Sequence, residues 1–204
     1  MPDLEELIAR NHWLWRGYGP QSPSAPGLGT GFPELDAVLP QGGWPATAVV
    51  DMTVTDWGVG EVRLLLPAMR RVMAQQRRVV WIAPPYLPHA VALHQHDTRL
   101  ELLTVVTPGD PSAVAWSTEK FLQAAACGLV VAWPGGIPPS ALRRLQLAAE
   151  EHSTPVFLLR RAARPRNATP AALCLYLRGS ASRLFITIVK ARGGCRHPRV
   201  TLAL

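Results

Sequence analysis

Apolar residues along this chain gather in short unbroken runs. Between the runs lie longer stretches in which they return every three or four positions. TAVVDMTV (47–54), VVWIAP (79–84), LLTVV (102–106), GLVVAW (128–133) and VFLLR (156–160) are runs of the first kind. Continuous apolar runs of this length fit strands covered on both faces, as in a parallel sheet, better than strands with one wet face. The intervening segments carry the helical period. Residues 60–76 place Val62, Leu65, Leu66, Met69, Val72 and Met73 on one side, with Pro67 inside the pattern as an expected kink or delayed start. SAVAWSTEKFLQAAA (112–126) and PSALRRLQLAAEE (139–151) complete the alternation. Strands alternating with helices predict an α/β domain. The end of the chain breaks the rhythm: ALCLYLRG, LFITIVKARGG and RVTLAL follow one another with little helix between them, predicting an antiparallel extension at one edge of the sheet.

The N-terminus is different in kind. DLEELIARNHWLWR (3–16) predicts a short amphipathic helix with Asp3 as N-cap and Glu5 and Glu6 in the first turn, where the helix dipole favours acids. GYGPQSPSAPGLGTG (17–31) is dense in Gly, Pro and Ser and reads as a linker. The expected organisation is a helix and linker over 1–30 and a folded domain over 31–204.

Charge adds direction to this picture. Lys and Arg total 21 against 14 Asp and Glu, a net +7, but the distribution matters more: no acid follows Glu151, whereas nine Arg and one Lys do. A one-sign segment on a folded domain sets up a lasting positive field and favours anionic partners. No stretch reaches the roughly eighteen apolar residues of a membrane span. The acidic start MPDLEELIAR lacks the layout of a secretory signal, so the expected location is the cytoplasm. Cys127, Cys174 and Cys195 are far apart and form no CxxC pair, the pattern of buried thiols rather than a disulfide frame or zinc site. His89, His94 and His96 are spaced by five and two, without HExxH, and read as a surface helix end. No GxSxG elbow occurs. The sequence thus offers no catalytic residue, cofactor or metal.

The loop after the first strand carries the most chemistry. A phosphate-binding loop there would read GxxxxGK[ST], with backbone N–H groups around the phosphates, a Lys on the terminal ones and a hydroxyl on magnesium. This chain reads Thr55-Asp56-Trp57-Gly58-Val59-Gly60-Glu61-Val62. Only Gly60 fits. Glu61 stands in the Lys position, Val62 in the hydroxyl position, and Asp56 adds a second anion. The strand GLVVAW, where an acid would support Mg²⁺, runs into Trp133 and Pro134 instead. Both departures predict a degenerate P-loop and no nucleotide hydrolysis.

Here the sequence resembles something specific. TGFPELDAVLPQGGWP (30–45) looks like the T-G-x-x-x-L-D-x-L-L-x-x-G-G segment that precedes the first core strand of RecA-type proteins. With GVGEVRLLLPAMRR, ALRRLQLAAE (141–150), VKARGG (189–194) and the N-terminal WRG (15–17), the chain resembles the ImuA family of translesion-synthesis accessory proteins, which is related to the SulA-type cell-division inhibitors. The resemblance implies a RecA-like three-layer fold and a part in SOS mutagenesis. It implies as partners an ImuB-type relative of Y-family polymerases, an error-prone DnaE-type polymerase and RecA. The SulA branch implies FtsZ instead; direct DNA binding is the third alternative.

Four segments are candidates for these contacts. Trp13, Trp15 and Arg16 form either a docking peptide or a helix folded back on its own domain. Trp57 is either a partner contact or packing against the next helix. The basic stretch RRAARPRNATPA contributes Arg160, Arg161, Arg164 and Arg166, and VKARGG contributes Lys190 and Arg192, as candidate DNA or anion contacts that would make binding salt-sensitive.

Overall fold

The structure, a computed structural model, describes residues 26–164, 169–180, 182–192 and 198–203. The predicted N-terminal helix, with Trp13, Trp15 and Arg16, lies outside the described residues, as do Arg166 and Cys195.

The apolar runs form strands where expected: β1 (Val49–Val54), β2 (Val79–Ile82), β3 (Leu103–Val106), β4 (Leu129–Ala132) and β5 (Val156–Arg161). Three further strands close the chain: β6 (Leu173–Ser180), β7 (Arg183–Ala191) and β8 (Arg199–Ala203). All eight join one sheet in the order β3-β2-β4-β5-β1-β6-β7-β8. The first six in that order run parallel, while β7 pairs antiparallel with both β6 and β8. β1 is buried at all six positions, β2 and β4 at all four, which is why their sequences do not alternate. The extension alternates visibly: Leu184, Ile186 and Ile188 of β7 and Val200 and Leu202 of β8 are buried, and Arg183, Phe185, Arg199 and Thr201 are exposed. Such alternation marks a sheet with one open face.

Helices cover both faces of the parallel sheet from β2 to β1. On one face lie α1 (Pro33–Asp36), α2 (Glu61–Ala74) and Leu93 of α3 (Ala90–Gln95). There Leu64, Leu65, Met69 and Met73 of α2 pack with Met52, Val54, Phe157 and Leu175 of the sheet, and the same cluster extends to Leu184, Ile186 and Leu202. On the other face lie α4 (Ala113–Gln123) and α5 (Pro139–Glu151), whose Leu122, Leu142 and Leu145 cover Val80, Val130, Leu158 and Val49. This is the expected α/β arrangement of a mostly parallel sheet between two helical layers.

Two expectations shift. α2 does not start late because of Pro67; it begins at Glu61 and runs through the proline to Ala74. One missing N–H is outweighed by eight buried positions along the helix, and the proline ring lies directly on Gly31. The linker also ends earlier than predicted. Leu28 exchanges backbone hydrogen bonds with Trp44 at 2.8 and 2.7 Å, and Thr30 is fully buried. Residues 26–30 therefore belong to the domain. Thr30 explains part of the TGFPELD pattern: its N–H donates to Asp36 Oδ1 at 2.9 Å, and its hydroxyl accepts from Phe32 N at 3.0 Å. This clamp turns the chain so that Leu35 reaches the core with no exposure.

Candidate functional site

The loop that β1 delivers to α2 gathers Thr55, Asp56, Trp57, Gly58, Gly60, Glu61 and Val62 into one turn. Its backbone starts from the sheet: Thr55 N donates to Leu177 O at 3.3 Å. Gly58 (φ +81°) and Gly60 (φ +109°) adopt left-handed conformations that a side chain would resist. These two residues aim their N–H groups inward, at the N-terminal end of α2, where the helix dipole favours a negative charge. The charge that arrives is the chain's own. Glu61 is the first residue of α2 and only 4% exposed. Its Oε1 accepts from Gly58 N at 3.0 Å and its Oε2 from Gly60 N at 3.1 Å. Sequence reasoning put a carboxylate where a phosphate-binding lysine would be, facing the pocket. The structure turns that carboxylate back onto the loop amides. The available signal was two glycines one and three residues ahead of a first-turn glutamate.

The rest of the loop is fixed by packing. Val59 rests on β6 at Gly179, where an added Cβ would come within 2.6 Å of Val59 O. Trp57 and Val62 are half-buried against the core cluster, so Trp57 packs on the domain and keeps only part of its ring at the surface. Asp56 and Arg161 pair at 3.4 Å with side chains 75% and 60% exposed, a contact worth little in water. At the end of β4, Trp133 is buried edge-on against Trp81, ring centroids 5.3 Å apart, and Pro134 follows it.

The candidate anion contacts separate. Arg160 is a correction: it is 8% exposed and bound to Asp51 of β1, itself 2% exposed. Arg160 Nε donates to Asp51 Oδ1 at 2.9 Å, and a second guanidinium nitrogen donates to Oδ2. A guanidinium held bidentately by a buried carboxylate has no charge left for solvent-borne anions. Sequence reasoning read Arg160 as the start of a basic loop because its partner lies 109 residues away. The missed signal was Asp51 inside the apolar run VVDMTV, since a buried carboxylate needs a partner. Lys190 is likewise committed, with Nζ donating to Thr169 O and Ala171 O at 2.5 and 2.9 Å. Arg192 pairs with Glu150 at 2.6 Å. Arg161 and Arg164 are exposed. Arg161 stands level with Val54, at the C-terminal end of β1, whereas Ala191 stands level with Leu173 and hence Val50, near the other end. The two basic groups thus sit at opposite ends of the sheet and cannot form one patch.

The remaining candidates are structural. His89 caps α3, Nδ1 accepting from Ala92 N at 3.1 Å, and His94 and His96 are exposed. Cys127 and Cys174 are free and buried. Burial pushes the Cys127 thiol up to about 11 and raises that of Cys174 as well, leaving neither with the thiolate that nucleophiles and metal ligands require. Among the described residues no helix is long and apolar enough to cross a membrane.

No protein-family model matches the sequence, and no curated protein does. Among solved structures the chain is similar to SulA from Pseudomonas aeruginosa, with 22% identity and a TM-score of 0.46 over 55% of this chain and 98% of that one.

Proposed function

We propose that this protein acts by binding partners and not by hydrolysing nucleotide, as a non-catalytic accessory factor of SOS-induced translesion DNA synthesis. In this reading it joins an ImuB-type polymerase relative to an error-prone DnaE-type polymerase, with RecA as a further partner. One observation carries the non-catalytic half: the Glu61 carboxylate occupies the N–H groups of Gly58 and Gly60. A nucleotide phosphate would have to displace it and then sit beside the displaced charge, with Asp56 close by. Like charges about 4 Å apart repel by roughly 4 kcal/mol at the effective dielectric of a protein surface. Val62 supplies no hydroxyl and Trp133 no carboxylate for a metal. The partner half rests on the sequence resemblance carried by residues 15–17, 30–45, 141–150 and 189–194.

Immobilised protein tested side by side against an ImuB-type protein and FtsZ separates the two partner classes. The proposal expects capture of the ImuB-type protein, unchanged by Glu61→Ala and weakened by removal of residues 1–25. Capture of FtsZ alone, with filamentous cells on overexpression, would move the protein to the SulA-like alternative, inhibition of cell division.

A further inference from the structure

The second apolar cluster stops short of the extension. It covers β2, β4, β5 and β1, reaches Cys174 and the edge of Val189, and goes no further. Beyond it, among the described residues, the same face of β6, β7 and β8 carries no helix. Cross-strand register sets what stands there. Tyr176, Thr187 and Arg199 form one row; Arg178, Phe185 and Thr201 the next; Arg183 and Ala203 belong to the third. Directly opposed residues share a face, with strands about 4.8 Å apart and rows about 6.7 Å apart.

The composition of this face is specific. Arg178, Arg183 and Arg199 are exposed, and no ion pair or side-chain hydrogen bond engages them among the described residues. Phe185, in the middle strand, is 42% exposed, an aromatic ring on a sheet surface between arginines. Tyr176 extends the platform and is held in place by its hydroxyl, which donates to Ala163 O at 2.9 Å, next to the exposed Arg164. No acid follows Glu151, and the buried Asp51 on this face is neutralised by Arg160.

We infer that this open sheet face binds single-stranded nucleic acid, with Arg178, Arg183 and Arg199 on phosphates and Phe185 stacking on a base. Charge complementarity selects a polyanion. The exposed ring among guanidinium groups selects one with unstacked bases, because a duplex hides its base faces while a single strand offers them to an aromatic platform. The site is distinct from the polymerase-binding reading and does not rest on it.

Fluorescence anisotropy with a labelled oligo-dT of twenty nucleotides tests this on the full chain. Binding should weaken as salt rises, and the triple variant Arg178→Ala, Arg183→Ala, Arg199→Ala should flatten the log–log slope by about 2, at roughly 0.7 per phosphate on a single strand. Phe185→Ala should weaken binding roughly 5- to 150-fold, the span of losing one base stack, and leave the slope alone. Arg70→Ala with Arg144→Ala, which removes two cations elsewhere on the surface, should change little. All these side chains except Tyr176 are exposed, so circular dichroism and melting of the variants should match the wild type. No binding at low salt, or a triple variant with the wild-type slope, would overturn the inference. Equal affinity for heparin or a same-length duplex combined with a harmless Phe185→Ala would overturn its commitment to single strands.

Discussion

At the residue scale the strongest constraint is the Asp51–Arg160 pair, and it is also the residue reading that changed most. Arg160 follows an apolar run and precedes more arginines, so its own neighbourhood reads as loop. Only the long-range pairing of β1 with β5 brings Asp51 beside it. Breaking a buried pair strands a charge. Asp51→Ala should therefore cost about 3–5 kcal/mol, while Asp51→Leu with Arg160→Met should recover most of it; urea denaturation of the three proteins checks both. Cys127 gives a pH-dependent prediction. Its folded-state pKa is raised to about 11, against roughly 8.5 in an unfolded chain. The thiol is neutral in both states below the lower value, so stability there is indifferent to it. Between the two values the unfolded chain loses the proton first, and stability falls as pH rises. In a Cys195→Ser background at pH 8, with roughly a thousandth of Cys127 ionised, Cys127 and Cys174 should resist alkylation until the protein is unfolded. Rapid labelling of the native protein at either position would contradict this burial.

Elements were the most legible level. Continuous apolar runs identified β1 to β5 to within one or two residues. For β1, β2, β4 and β5 the reason is burial on both faces, which leaves few other sequences workable. The helical period placed α2, α4 and α5 for the corresponding reason. The β1–α2 loop was legible in its departures from a phosphate-binding template but not in its conformation, since nothing local says which way a first-turn glutamate will fold. The structure makes that conformation costly to disturb. Glu61→Ala should lose about 2 kcal/mol, comparable to a strong helix cap, with Glu61→Gln intermediate because one acceptor remains. Gly179→Ala should cost about 1–3 kcal/mol, because the new methyl meets the backbone of Val59 and not a flexible side chain. Denaturant midpoints measure each change, and a neutral Gly179→Ala would mean the loop does not rest on β6 as described.

At the scale of the whole molecule, a sheet clad on both faces from β2 to β1 continues through β6 into an antiparallel edge, and from β6 outward the described helices clad one face. The charge run after Glu151 was visible in the sequence, but its placement was not. Strand pairing sends Arg160 inward, ties Lys190 to backbone carbonyls, and spreads Arg178, Arg183 and Arg199 over an open surface. Alternation within β7 and β8 held the clue to that surface. The loop that most resembles a nucleotide site is filled from within, by Glu61. Isothermal titration of the purified wild-type chain with magnesium and ATP addresses that directly. No saturable heat up to millimolar nucleotide and no phosphate release are expected. Magnesium-dependent binding in the micromolar range, or steady turnover abolished by a substitution within residues 55–62, would contradict it.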